Sequence, residues 1–239
     1  MKTENDNKII KELYNDYLNF KKHTKNNTNV DYYDELFYIE LSKYFPERNA
    51  VICDLGCGAG RMLTSLKSEG YNALYGCDVL YDYNNRNAII EKNDIISYLN
   101  KLNRKIDAFI LNDVLEHLSL SEIIETLLLC FKRLSENGML ILKVPNGSSP
   151  FSGLYQNGDL THITVLNESS IHQIASLCKF KVVKIACEKL AIRRYKGIKK
   201  IIVECNHFIF KSLMSVISML AYRKKVVLTS NVIAILKRN

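Results

Sequence analysis

A short apolar run, Val51-Ile-Cys-Asp54, leads directly into Leu-Gly56-Cys-Gly58-Ala-Gly60, and helical spacing of apolar residues begins at Arg61. Glycine at three alternate positions removes every second Cβ from the turn, so the backbone can bend sharply and a ligand can approach it closely. From Ala50 onward the chain alternates short apolar runs with helical stretches, the pattern of parallel strands joined by crossover helices. Strands are predicted at Ala50–Asp54, Ala73–Cys77, Ile89–Ile90, Ala108–Leu111, Met139–Val144, Lys181–Ile185 and Asn231–Leu236. Helices are predicted at Arg61–Glu69, Ile95–Leu102, Ser121–Leu134 and Glu168–Cys178, with an irregular polar section from Pro145 to Thr164.

The chain has 239 residues, 47% of them hydrophobic, enough to bury one sizeable core. We expect one domain over 47–239, preceded by N-terminal helices within 1–46 at Lys8–Phe20 and Tyr32–Tyr44, the second ended by Phe45-Pro46. Only 10 Gly and 3 Pro are present, and no repeat or low-complexity segment appears, which argues against linkers and solenoids. Met1–Lys8 is polar and lacks an apolar run, so no secretory signal is read and a cytoplasmic location is expected. Seven cysteines, without a C-x-x-C pair, fit buried free thiols in a reducing compartment. Cys53 and Cys57 have no second Cys/His pair at zinc-site spacing.

The second predicted strand ends at Asp78, 18 residues after Gly60, where a carboxylate can accept hydrogen bonds from the ribose hydroxyls of a nucleoside. In Asp54, Gly56, Gly58, Gly60 and Asp78 the chain resembles the class I S-adenosylmethionine-dependent methyltransferases, which carry an acidic-x-Gly-x-Gly-x-Gly loop after the first strand and an acid after the second. The resemblance implies a Rossmann-like α/β fold, a mostly parallel seven-stranded sheet with helices on both faces and an antiparallel last strand. It implies S-adenosylmethionine as cofactor, held by the loop including Cys57, with Asp94-Ile95 flanking the adenine and Asn112 against the methionine part. Asn112-Asp-Val-Leu-Glu-His117, Val144-Pro-Asn-Gly147 and Gly158-Asp-Leu-Thr-His162 look like the branch acting on small molecules and glycans. A nicotinamide dehydrogenase would space its glycines G-x-G-x-x-G and carry a Tyr-x-x-x-Lys pair after the fifth strand; neither is present. A module that binds the cofactor without using it is the other alternative.

Methyl transfer requires an aligned nucleophile and removal of its proton. For a hydroxyl acceptor, a histidine base or a metal ion serves. Asp113, Glu116 and His117 follow the fourth strand at the sheet's carboxyl edge, where open α/β sheets bind ligands. If a helical turn starts there, Asp113 faces Glu116 and His117 at i+3 and i+4, and His162 projects from the same edge. These four are the candidate catalytic residues and candidate ligands for Mg²⁺ or Mn²⁺. Some RNA-end and quinone methyltransferases use a similar Glu-x-x-Glu-His set plus a later histidine, from which this chain departs at Asp113. The alternative is that Glu-His merely caps a helix and shapes the pocket. The glycine- and aromatic-containing loop within 148–165 reads as an acceptor lid, with Tyr155 and Asp159 its most informative positions.

The net charge of +8 is concentrated late in the chain: residues 189–225 carry ten Lys or Arg against one acid, Glu204. This basic insertion, 189–228, contains an apolar stretch from Phe208 to Tyr222, and fifteen residues are short for a membrane span. Peripheral contact with the inner membrane face, a homodimer interface, and packing on the sheet all suit it. No nucleic-acid module accompanies the charge, which argues against RNA. The expected reaction is O-methylation of a glycan, nucleotide sugar or related small molecule, with an RNA methyltransferase ranked below it.

Overall fold

The computed structural model describes residues 41–80, 83–85, 88–187, 196–223 and 226–238, together with Leu13. The expected first helix and most of the second lie outside the described residues, apart from Leu13; the last turn of the second, residues 41–44, is helical and stops before Phe45-Pro46. Strands β1 (Val51–Leu55), β2 (Ala73–Asp78), β4 (Ala88–Lys92), β5 (Ile106–Asn112), β6 (Leu134–Pro145), β7 (Phe180–Cys187) and β8 (Asn231–Arg238) are the seven expected. An eighth, β3 (Tyr83–Asn85), pairs antiparallel with β4 and gives the order β3-β4-β2-β1-β5-β6-β8-β7. Residues this polar carry no strand signal of their own; the edge of β4 recruits them. Pairs from β4 through β6 are parallel, and β8 runs antiparallel to β6 and β7.

Alternation along the strands builds two cores, because successive side chains point to opposite faces. Ile52, Ala108, Ile110, Met139, Ile141, Ile233 and Ile235 face one side, where α1 (Arg61–Ser68) packs Met62, Leu63 and Leu66. Cys53, Leu55, Phe109, Leu111, Leu140, Leu142 and Ala234 face the other. There α2 (Ile95–Lys101), α3 (Leu120–Arg133) and α5 (Glu168–Leu177) bury Tyr98 and Leu99, Ile123, Leu127 and Cys130, and Ile171, Ile174 and Ala175. Capping boxes start α3 (Ser119 with Glu122) and α5 (Asn167 with Ser170), satisfying amide groups at each helix start. Six described cysteines are free, and burial pushes the thiols of Cys53, Cys77 and Cys130 up, so they remain neutral packing groups.

The basic insertion departs from expectation. Its helix, α6 (Gly197–Tyr222), has 26 residues rather than the fifteen read from Phe208 to Tyr222, because Ile198, Ile201, Ile202 and Val203 extend the apolar pattern backward. Among the described residues this helix is long and apolar enough to cross a membrane by length and composition, which the fifteen-residue stretch alone is not. The irregular section contains one short helix, α4 (Ser152–Gln156).

Candidate functional site

The glycine loop, Asp78, Asp94 and the segment from Asn112 to His117 follow the carboxyl ends of β1, β2, β4 and β5, and β1 and β5 lead to opposite halves of the sheet. Gly56, Gly58 and Gly60 all have left-handed φ, +73°, +52° and +69°, as the alternating glycines require. The loop is bound to the end of β2: the Gly56 and Cys57 amides donate to the Cys77 carbonyl at 2.8 and 3.1 Å, and the Gly58 amide donates to Asp78 Oδ2 at 2.8 Å. Leu80 N–H donates to Asp78 Oδ1 at 2.9 Å. Each carboxylate oxygen keeps a further lone pair, the capacity a ribose diol needs. Asp54 is buried at the end of β1, in register with Gly76 and Ile110.

Cys57 stands in the loop between Gly56 and Gly58. Its side chain packs against the α1-side core, with Sγ 2.9 Å from where a Cβ on Gly76 would stand, and burial pushes its thiol up. Its part in the loop is its backbone. Asp94 is the N-cap of α2, accepting from Ser97 N–H at 2.8 Å. Slight burial acts to raise its carboxyl, but the hydrogen bonds from Ser97 and the neighbouring amides outweigh this and hold it low. Asn93 N–H donates to the Asp78 carbonyl at 3.0 Å, so Asp94 and Ile95 stand beside the second acid.

Residues 112–117 do not form the helical turn expected. Asp113 adopts φ +57°, and a 3-10 turn follows at Leu115–His117. This breaks the i+3 and i+4 register. Asp113 Oδ2 instead meets Lys143 Nζ at 2.7 Å, pairing with an ammonium that is 2% exposed in β6. Asp113 is thus a correction to the expected ligand set. The atoms brought within 4.8 Å of one another belong to Glu116, His117 and His162. The rings of His117 and His162 meet edge to face with centroids 4.7 Å apart.

The segment from Asp159 to Thr161 supplies a hydrogen-bond chain that reaches Nδ1 of His117. Thr161 donates its hydroxyl to Asp159 Oδ1 at 2.5 Å and its amide to the same oxygen at 3.0 Å. His117 Nδ1 lies 2.9 Å from Thr161 Oγ1. A hydroxyl has one proton, and an ionised carboxylate only accepts, so with Thr161 donating to Asp159 it is Nδ1–H of His117 that donates to Thr161. Partial burial acts to raise the Asp159 carboxyl, but the two bonds from Thr161 and the nearby His117 and His162 hold it below the usual carboxylate range. The Glu116 carbonyl accepts from the amides of Ile163 and Thr164 at 2.8 and 3.1 Å, clamping this segment onto the 3-10 turn. Thr161 and Lys143 were not singled out in the sequence; an Asp-x-Thr pair is a turn signal, and its partner lies 44 residues away. Tyr155, by contrast, receives a hydrogen bond from Ser230 Oγ at 3.0 Å, on the strap that follows α6.

The site fits an adenosine-based cofactor carrying an amino acid. A Cβ on Gly58 would meet nothing within 4 Å, leaving the loop's outer side open, and the buried Asn112 Oδ1 has no hydrogen-bond partner. Two imidazoles and a carboxylate also form a donor set suited to a divalent ion such as Mn²⁺, and less to Mg²⁺, which prefers oxygen.

The profile of the methyltransferase-domain family matches residues 28–185. A search of curated proteins finds no match. Among solved structures, the fold is similar to a SAM-dependent methyltransferase from Archaeoglobus fulgidus, at 22% identity and TM-score 0.61 over 93% of this chain and 99% of that one. It is also similar to 1,6-didemethyltoxoflavin-N1-methyltransferase from Burkholderia thailandensis (10% identity, TM-score 0.64, covering 100% and 92%). A third is magnesium protoporphyrin IX methyltransferase from Synechocystis PCC 6803 with bound S-adenosylhomocysteine (14% identity, TM-score 0.59, covering 97% and 99%). With more than half its length matched and the strand order and glycine loop in place, the chain belongs to the methyltransferase-domain family and has the class I methyltransferase fold.

Proposed function

We propose that the chain is an S-adenosylmethionine-dependent O-methyltransferase whose acceptor is a hydroxyl on a small molecule or glycan. The observation that carries this reading is the Asp159–Thr161–His117 hydrogen-bond chain, which orients the His117 ring through its Nδ1 in the turn that follows β5. The loop Gly56–Gly60, Asp78, Asp94-Ile95 and Asn112 are the residues that would hold the cofactor. When bound, it supplies a methyl group on a positively charged sulfur. His117 Nε2 accepts the acceptor's hydroxyl proton, and the imidazolium so formed is stabilised by Asp159 through Thr161, as a carboxylate orients a catalytic histidine elsewhere. Two of the similar structures are named for action on small ring systems, porphyrin and didemethyltoxoflavin, which supports a compact acceptor.

A radiolabelled methyl-transfer screen against nucleotide sugars, phosphorylated glycans, quinone precursors and RNA tests the reading. Turnover on a hydroxyl-bearing small molecule or glycan is expected, with His117→Ala lowering kcat by about 10²–10³-fold, the usual worth of a general base. Turnover of RNA alone overturns the assignment. A second reading is favoured by the Glu116, His117 and His162 cluster: with a divalent ion held there, His117 Nε2 is a ligand and the ion lowers the acceptor's pKa. Full activity after exhaustive EDTA treatment, in protein shown by elemental analysis to be metal-free, eliminates that reading. Loss restored by Mn²⁺ supports it.

A further inference from the structure

Helix α6 turns its apolar side away from the protein. Along the 3.6-residue repeat, Val203, His207, Phe210, Lys211, Met214 and Ser218 fall on one stripe and are buried or half-buried, with Ser218 Oγ accepting from Val226 N–H at 2.7 Å. Ile198, Ile201, Ile202, Phe208, Ile209, Leu213, Val216, Ile217, Met219 and Leu220 occupy the opposite arc, each at least 36% exposed and Phe208 and Leu220 at 72% and 80%. No Lys, Arg, Asp or Glu interrupts the centre of this arc. Ten of the 21 large exposed apolar side chains among the described residues therefore lie on one helix, about 39 Å long at 1.5 Å per residue. Single exposed apolar residues need no explanation, but a contiguous patch of this size marks an interaction surface.

Charge identifies the partner. Lys196, Lys199 and Lys200 stand at the start of the helix and Arg223 at its end, followed in sequence by Lys224 and Lys225, with Glu204 the lone acid between 189 and 225. In a symmetric pair of copies packed along this face, the basic ends of one helix would lie against the basic ends of the other. A polyanion such as RNA would leave the apolar arc in water. A surface that is apolar within and anionic at its polar boundary satisfies both features. The stripe through Met214 and Ser218, which is buried and held to Val226, favours a helix lying in the membrane plane over one that spans it.

We propose that α6 docks this protein on anionic bilayers, lying in the membrane plane with Ile202, Phe208, Ile209, Leu213, Val216 and Leu220 among the acyl chains and the terminal lysines and arginine at the headgroups. The proposal is independent of the reading of the catalytic site.

Cosedimentation of the full chain with vesicles tests it, using phosphatidylcholine alone and phosphatidylcholine with about a third phosphatidylglycerol. Binding to the anionic vesicles is expected, and weaker binding to the neutral ones. Phe208→Glu with Leu213→Glu weakens partitioning about tenfold or more, and Lys199→Glu with Lys200→Glu removes the preference for anionic lipid. S-adenosylhomocysteine binding, measured by calorimetry, reports that each variant is folded, since none of these residues touches the loop. Failure of the full chain to cosediment overturns the proposal, as does equal partitioning of the double glutamate variant. In that event, sedimentation velocity assigns the face to a second copy if a dimer dissociates on Phe208→Glu, and to a segment of this chain, residues 1–40 included, if the protein is a monomer.

Discussion

Gly56 and Gly58 share a left-handed backbone, yet a methyl group on each meets different surroundings. On Gly56 it would stand 2.7 Å from Val114 Cγ2, inside the fold, whereas on Gly58 it would meet nothing within 4 Å. The backbone penalty of about 1–2 kcal/mol is common to both. Gly56→Ala adds overpacking of about 1–3 kcal/mol, so urea denaturation should show the larger loss of stability. Gly58→Ala should lose only that backbone penalty but bind S-adenosylhomocysteine about tenfold or more weakly in calorimetry, because the methyl would stand on the open side of the loop that we propose receives the cofactor. Asp113 poses a comparable choice between ligand and structural partner. Its removal by Asp113→Ala takes the ion-pair partner from Lys143, which is 2% exposed while Asp113 is 42% exposed. Partial exposure of the acid lowers the cost below the 3–5 kcal/mol of a fully buried pair, to about 2 kcal/mol in denaturation, with Mn²⁺ binding unchanged.

At the scale of elements, the segment from Asp159 to Thr164 behaves as an attachment to the 3-10 turn rather than as an open lid. Two amides donate to Glu116, Thr164 Oγ1 donates to the Leu118 carbonyl at 2.5 Å, and Thr161 joins His117 to Asp159. Thr161→Val keeps the shape but removes the hydroxyl, leaving Nδ1 of His117 without that acceptor and Asp159 with the residue 161 amide but not the hydroxyl as donor. We expect kcat to fall by about tenfold or more with KM for S-adenosylmethionine little changed, and Thr161→Ser to restore most of it. A merely structural role would not produce rescue by serine in kcat. Asp159 also contributes to stability with a defined sign: its folded pKa is depressed, so the contribution is present at neutral pH and is lost as pH falls through and below the unfolded carboxylate value of about 3.9.

At the scale of the molecule, the glycine loop joins β1, β2 and, through Val114, the end of β5, so the cofactor, if held there as proposed, should brace the sheet as a whole. Saturation with S-adenosylhomocysteine at about a hundred times its Kd adds about 2.7 kcal/mol and should raise Tm by about 5–10 °C in calorimetry. An NAD-specific shift in place of this one contradicts the cofactor assignment. Much of this architecture was legible in the chain. The two-residue alternation of Ile52 to Leu55 and of Ala108 to Leu111, and the glycines at 56, 58 and 60, are local patterns whose meaning depends only on backbone geometry. They determined the α/β class, the position of the glycine loop and Asp78 at the next strand's end. Only the tertiary structure decided the rest. The left-handed turn at Asp113 sends that carboxylate to Lys143 on the neighbouring strand, and the return of the chain at Thr161 selects His117 and its tautomer. Packing also decides which side of α6 faces the protein, since an apolar helix carries no mark in sequence of which apolar residues remain outside. Each of these depends on partners far away in the chain, which no local spacing encodes.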